Sequence, residues 1–434
     1  MLSDIDKLLE NSPEPESTAR RLQQLREDES CRRHIDSLNV ELLDDFLCII
    51  GSSDFLFRFM SREPQAIALI GEEFQLDAEA LSLIHDFQAL RKFKYRALLR
   101  LSWMDICGRY DYTRILLGLS QLAEAIIRAA FRIAHDNEVH DKICNWMSVF
   151  ALGKLGASEL NFSSDVDLIF VSANAEEIDV EIDVLQRTLI NSIQKVCQSI
   201  EEVTVDGFLY RVDLKLRPWG SSGPLCMSLD ATEHYYEASS EPWERFAWLR
   251  SRAIAGSSEI ASNLMNRLQP FVFSRSLSTE DLDRFIQIKQ EMGRARKKRG
   301  HWNVKVGEGG IRDIEFFAQV LQIVNAGEDK NLQKTNTMEV LSGLEAAGIL
   351  SAVEKRELCE SYLFLRRLEN RLQMVDERQT HELQDNTRFR LKIARSLKIE
   401  GDSNDEKLDN FENQLFLHRS IASTYFDRVL PQKT

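Results

Sequence analysis

In the stretch G-K-L-G-A-S-E-L-N-F-S-S-D-V-D-L-I-F (153–170), two aspartates one residue apart, Asp165 and Asp167, stand at the head of an apolar run that continues to Ala173. Such a run reads as a strand, and alternate residues of a strand share a face, so the two carboxylates point the same way. Carboxylates held that close repel unless a cation lies between them. Hard oxygen ligands suit Mg²⁺, which keeps several waters and fills its sphere with phosphate oxygens. A third carboxylate, Asp213, sits on the polar face of F-L-Y-R-V-D-L-K-L (208–216), opposite Val212, Leu214 and Leu216. If the two strands are neighbours, about 4.8 Å apart, Asp213 joins the pair. Three carboxylates could then hold two metal ions roughly 3.5–4 Å apart, clamping the attacking and leaving oxygens of a phosphoryl transfer. Asp165, Asp167 and Asp213 are thus the expected catalytic and metal-binding residues. The expected cofactor is a pair of Mg²⁺ ions, with Mn²⁺ as a substitute.

A bare D-x-D is common, so its surroundings matter. Gly153 and Gly156 precede it in a strand-to-helix turn whose backbone N–H groups can approach phosphate oxygens, with the helix dipole assisting. Ser163 and Ser164 add hydroxyl donors beside the carboxylates. The pattern is neither a Walker A loop nor G-x-G-x-x-G. Arg217 follows Asp213 by four residues; it either reaches the same phosphates, where a planar fork is useful, or pairs with Asp165 or Asp167. Trp219 reads as packing rather than as an adenine platform. Trp243-Glu244-Arg245 and Arg250-Ser251-Arg252 read as structural ion pairing in a helix. R-A-R-K-K-R-G (294–300) is ordinarily a solvated face, and docking of a phosphate or an acidic partner is the alternative. In G-E-G-G-I-R-D-I-E-F (307–316), paired glycines followed by Arg312, Asp313 and Glu315 predict a shaped loop facing the site.

Around this centre the chain reads as an α+β protein, mostly helical, in three parts. Residues 1–140 form a helical region packed on the core, with one helix marked by Ile115, Leu119, Leu122, Ile126, Ala129 and Ile133. Residues 141–275 form a small mixed-sheet core. Its strands are expected at Asn145–Leu152, Asp167–Ala173 and Phe208–Leu216, with a helix at about 180–200. Residues 276–434 form a C-terminal helical bundle. It opens with a capping box at Ser278 and Asp281 and later carries the stripe Tyr362, Leu365, Leu368, Leu372 and Val375.

Composition narrows the partners. The 69 acidic residues against 55 basic ones give a net charge of −14, a poor balance for gripping nucleic acid along a whole surface. Seven scattered cysteines without C-x-x-C read as reduced thiols, and no histidine stands in a zinc spacing. The acidic N-terminus is not a secretory signal, and no segment reaches the roughly 18 apolar residues of a membrane span. The expectation is a cytoplasmic protein with no nucleic-acid or membrane partner.

The three motifs G-K-L-G-A-S-E-L-N-F-S-S-D-V-D-L-I-F, V-D-L-K-L-R-P-W-G-S-S-G-P-L and G-E-G-G-I-R-D-I-E-F, in this order, resemble glutamine synthetase adenylyltransferase, a DNA-polymerase-β-like nucleotidyltransferase. The likeness extends to L-R-L-S-W-M-D-I, L-S-Q-L-A-E-A-I-I-R-A-A and L-F-L-R-R-L-E-N-R-L-Q, nearly the whole chain. That family joins two similar halves in tandem, one removing AMP from a tyrosine of glutamine synthetase by phosphorolysis and one adding it; this chain holds one half. Trp243-Glu244-Arg245-Phe246, Gly309-Gly310-Ile311-Arg312 and the L-R-R-L-E-N helix at 365–370 resemble the removing half. The helical segment behind the core resembles that of the uridylyltransferases acting on the nitrogen-signalling protein PII. The resemblance places the metal carboxylates on Asp165, Asp167 and Asp213, and implies that Lys154, Ser164 and Arg217 position phosphate oxygens. Ala157 and Ser158 stand where the family often has glycines, which leaves individual backbone contacts to phosphate open. The implied reaction consumes phosphate and releases ADP, with glutamine synthetase as protein substrate and PII as regulator. Two alternatives are adenylylation of glutamine synthetase or another protein from ATP, and a non-catalytic module binding PII-type proteins.

Overall fold

A computed structural model describes residues 2–273, 279–299 and 302–429. The expected boundary at 275–276, Ser278 of the expected capping box, Gly300 and the final Lys433-Thr434 lie outside the described residues. The described chain is mostly helical and holds one small mixed sheet, an α+β arrangement.

The sheet has five strands: β1 (Met147–Leu152), β2 (Val166–Ser172), β3 (Val212–Asp213), β4 (Cys226–Ser228) and β5 (Arg252–Gly256). β2 lies between antiparallel β1 on one side and the parallel pair β3 and β4, placed end to end, on the other; β5 is antiparallel to β1. The period of two sorts side chains onto two cores. Val149, Ala151, Val166, Leu168 and Phe170 pack with the N-terminal helices and the Ile182–Glu201 helix. Phe150, Leu152, Ile169 and Val171 face Trp248, Leu264, Phe316 and Phe426. A third cluster, from Val304 to Tyr425, lies within the C-terminal helices.

The strand expected at 208–216 contracts to two residues. Leu209 and Tyr210 give their N–H groups to Ile200, and the Phe208 carbonyl accepts from Lys94 and Tyr95. At the other end the Lys215 N–H turns back to Asp213 Oδ1. Ladder partners are therefore taken on both sides. Arg252, read as helical, begins β5 instead, and neither β4 nor β5 is signalled by alternation in the sequence. The helix expected after the Gly153 turn is a single turn, Gly153–Gly156, too short for a sizeable dipole.

The Ala352–Met374 helix ties these parts together. It starts on a capping box, Ser351 with Glu354, and its apolar stripe enters the third cluster through Tyr362, Leu365, Leu368 and Leu372. Its opposite face is polar yet buried. Arg371 and Asn370 both bind the Asp105 carboxylate in the Phe87–Ile106 helix, Arg371 by Nη2 at 2.9 Å and Asn370 by Nδ2 at 2.8 Å. Arg371 and Asp105 are 1% and 2% exposed, so removing one partner strands the other charge. We expect Asp105→Ala to cost about 3–5 kcal/mol, measured as a lowered urea midpoint, and the apolar pair Asp105→Leu with Arg371→Met to recover much of it.

Candidate active site

Register fixes the carboxylates. Asp167 in β2 is the direct partner of Asp213 in the parallel β3, and Leu152 flanks Asp167 from β1. Asp165 lies one residue before β2, on the same side as Asp167 by the strand period. Burial, with Asp213 and Asp165 adding repulsion, pushes the Asp167 carboxyl up to about 6, against the pull of Lys305 and Arg250. The other two carboxylates are engaged. Asp165 accepts from Arg211 Nε at 2.6 Å and from Gln379 Nε2 at 2.7 Å, and Asp213 holds Lys215 Nζ at 3.2 Å.

A side chain at Gly153 would be strained. Its φ is +57°, and a Cβ there would lie 2.5 Å from Asp167 Oδ2. The turn thus closes directly on the carboxylate. A Cβ on Gly156 would lie 2.0 Å from the Arg250 carbonyl, so the turn is also pressed against the chain entering β5.

Several expected phosphate donors are committed elsewhere. Lys154 donates to both oxygens of Glu369, at 2.8 and 2.7 Å, and burial pulls its ammonium down to about 7 although Glu369 opposes this. Burial alone would raise Glu369, yet Lys154, His381 and Arg366 hold it well below the usual carboxylate range. Ser163 gives its hydroxyl to the Glu377 carbonyl at 3.0 Å and its N–H to Gln373 Oε1 at 3.1 Å. Ser164 is buried and accepts from the Asn161 N–H. Arg217 donates to the carbonyls of Leu214, Gly223 and Ser221, organising its own loop; the arginine on Asp165 is Arg211, not Arg217. Trp219, expected to be packed, is 53% exposed with one edge against Tyr235.

The glycine loop is tied to the start of the helix that follows it. Gly309, at φ +69°, gives its N–H to Asp313 Oδ2 at 2.8 Å, and Gly310 caps the Ile311–Asn325 helix. Glu315 binds Arg250 Nη1 at 2.7 Å, and Arg250 also binds Glu159. Burial would raise Glu315, but Arg250 and Arg366 hold it at about 2. Arg312 is exposed.

Three participants went unread in the sequence. Arg211 lies two residues before Asp213, and the alternation that placed Asp213 and Lys215 on the polar face extends to it. Lys305, two residues ahead of the glycine loop, is half-buried and forms no salt bridge among the described residues. Its charge bears on Asp167, Lys154 and His381. Gln379 has no local signal at all.

Oxygen donors of this kind fit a hard divalent cation, and the repulsion from Asp213 and Asp165 that adds to burial in raising Asp167 is what such an ion relieves. Among the described residues, no three His, Cys, Asp or Glu side chains are gathered to ligating distance, since Asp165 and Asp213 are drawn toward their own partners. No described helix is long and apolar enough to cross a membrane, and all seven cysteines are free thiols.

Residues 43–267 match the family described as glutamate-ammonia ligase adenylyltransferase, and residues 284–430 match GlnD PII-uridylyltransferase. The bifunctional glutamine synthetase adenylyltransferase/adenylyl-removing enzyme of Thioalkalivibrio sulfidiphilus (strain HL-EbGR7) is 35% identical over 83% of this chain and 37% of its own length. The enzyme of the same description from Stenotrophomonas maltophilia (strain K279a) is 35% identical over 83% of this chain and 40% of its own. That from Hahella chejuensis (strain KCTC 2396) is 32% identical over 94% and 44%. The chain spans about two fifths of the length of the curated relatives it matches.

The raised Asp167 carboxyl sets a pH dependence. The folded chain keeps this proton up to about pH 6, whereas the unfolded chain releases it near the ordinary 3.8. The native state therefore binds more protons in that window, and stability falls as pH rises through it. In the presence of a chelator, Asp167→Asn should unfold at a higher temperature than the natural chain at pH 8, the gap closing below about pH 4. Equal melting temperatures at pH 8 would contradict this account.

Proposed function

This chain belongs to the glutamate-ammonia ligase adenylyltransferase family, and from that premise we propose that its carboxylate site removes AMP from an adenylyl-tyrosyl residue of glutamine synthetase. In the proposed reaction an oxygen of inorganic phosphate attacks the α-phosphorus. The bond from phosphorus to the tyrosyl oxygen breaks, ADP leaves, and the tyrosinate takes up a proton. The observation that carries the reading is the register pairing of Asp167 with Asp213, with Asp165 on the same side. The direction rests on Trp243-Glu244-Arg245-Phe246, Gly309-Gly310-Ile311-Arg312 and the L-R-R-L-E-N segment, which resemble the removing half.

Asp165, Asp167 and Asp213 would hold Mg²⁺ or Mn²⁺, which neutralises charge developing on the transferring phosphoryl group. The chain itself supplies placement. Gly153 lets the backbone close on Asp167, and Arg217 stiffens the loop that follows Asp213. Lys305, which has no carboxylate partner among the described residues, is the cation best placed to orient phosphate, because Lys154 is occupied by Glu369. The match of residues 284–430 to a PII-uridylyltransferase supports a PII-type protein as regulator of this cytoplasmic reaction.

The test is incubation of the chain with adenylylated glutamine synthetase, Mg²⁺ and phosphate. ADP should form, at least about a hundredfold more slowly with Asp213→Asn. Lys305→Ala should raise the KM for phosphate about tenfold, a loss of ~1.4 kcal/mol. Transfer of AMP from ATP without phosphorolysis would reverse the direction, and full turnover by Asp213→Asn would remove the carboxylates from the mechanism.

A further inference from the structure

Asp165 reaches the site with both carboxylate oxygens already held. Arg211 Nε donates to Oδ1 at 2.6 Å and is itself fixed by Nη2 on the Ser163 carbonyl at 2.8 Å. Gln379 Nε2 donates to Oδ2 at 2.7 Å. Arg211 adjoins β3, but Gln379 comes from the stretch after the Ala352–Met374 helix, 214 residues along the chain from Asp165.

An exposed glutamine alone would not hold an acceptor in a fixed place, since ordering its side chain is costly. Here the backbone on either side is pinned. Upstream, Glu377 adopts φ +55°, a conformation that a non-glycine residue keeps only when its surroundings enforce it. Lys94, 2% exposed, binds Glu377 Oε1 at 2.9 Å; the Tyr95 hydroxyl oxygen, shared with the Phe208 carbonyl, lies 3.3 Å from Oε2; and Ser163 donates to the Glu377 carbonyl at 3.0 Å. Downstream, the His381 carbonyl accepts from the Val304 N–H at 2.9 Å, and the Leu383 N–H donates to the Trp302 carbonyl at 2.9 Å. Gln379 lies between these anchors.

We infer that Gln379 is a positioning residue for Asp165, fixing the plane of that carboxylate so that a divalent cation meets a pre-oriented ligand. The inference rests on the carboxylate reading proposed above. With the Arg211 guanidinium already on Oδ1, a neutral amide on Oδ2 orients the carboxylate without adding a second cation to it. Outer donors of this type typically change metal affinity by about 10–100-fold when removed.

Direct binding of Mn²⁺ to the full chain, followed by the electron paramagnetic resonance signal of the free ion, tests it without any turnover. Gln379→Ala should bind Mn²⁺ about tenfold more weakly than the natural chain, with an unchanged melting temperature because the side chain is exposed. The Mg²⁺ concentration for half-maximal ADP formation should rise by a similar factor while the KM for adenylylated glutamine synthetase stays constant. Unchanged or tighter Mn²⁺ binding by Gln379→Ala would overturn the positioning role and leave the carboxylate site standing. A natural chain that binds no Mn²⁺ would overturn both.

Discussion

The buried polar face of the Ala352–Met374 helix holds the rest of the molecule in place. Arg366 reaches the Glu159 carbonyl and Asn161 Oδ1, the latter at 2.7 Å. Asn370 accepts the Phe162 N–H at 2.8 Å, Gln373 the Ser163 N–H, and Glu369 the Asn161 amide. Residues 159–163 are buried without forming a helix or strand, so their backbone groups need partners from outside. The helix supplies those of Glu159, Phe162 and Ser163, while Ser120 takes the Leu160 N–H. It thereby sets where the chain enters β2, and with it the positions of Asp165 and Asp167.

This arrangement is costly to build. Arg366, Arg371, Glu369 and Lys94 are all taken almost wholly out of water. Ion pairs of this kind stabilise little beyond what apolar side chains of equal size would contribute. Their effect here is on geometry. An apolar stripe decides which side of a helix is buried but sets its rotation and sliding only loosely, as any leucine-lined groove tolerates small shifts. A row of directional bonds to the backbone of Glu159, Phe162 and Ser163 and to the side chain of Asn161 does not. The same logic extends outward: Asp105 receives Asn370 and Arg371 from this helix, and the Tyr112 hydroxyl donates to the Arg366 carbonyl. The N-terminal helices, the sheet and the bundle are thus aligned on one element.

Sequence reading goes furthest where a pattern repeats along the chain. The helical stripe of Ile115 to Ile133 lies in the Tyr112–Ala134 helix, the helix expected at 180–200 is Ile182–Glu201, and the apolar runs around 147 and 167 are β1 and β2. Short strands escaped, because three residues of β4 carry too little alternation to register. The carboxylates were legible by spacing, and their adjacency followed from one assumption about neighbouring strands. Their partners were less so. Arg211 was readable from the same alternation, but Gln379, Glu369 and Lys305 reach the site only through the fold. The roles of Lys154 and Arg217 illustrate the limit: a basic residue beside a candidate site shows its charge in the sequence, while the carboxylate or carbonyl that claims it can be anywhere.

The bond from the Phe162 N–H to Asn370 spans 208 residues. On the ribosome that separation is a waiting time. At about 5–20 residues per second, roughly ten to forty seconds pass between synthesis of the loop and synthesis of the helix that satisfies it. During that interval the sheet can pair and the N-terminal helices can cover one face, but the approach to Asp165 has no settled form. In a nascent chain of this design the entry to β2 therefore lacks its partners until the Ala352–Met374 helix has been made, and the surroundings of Asp165 take shape only then.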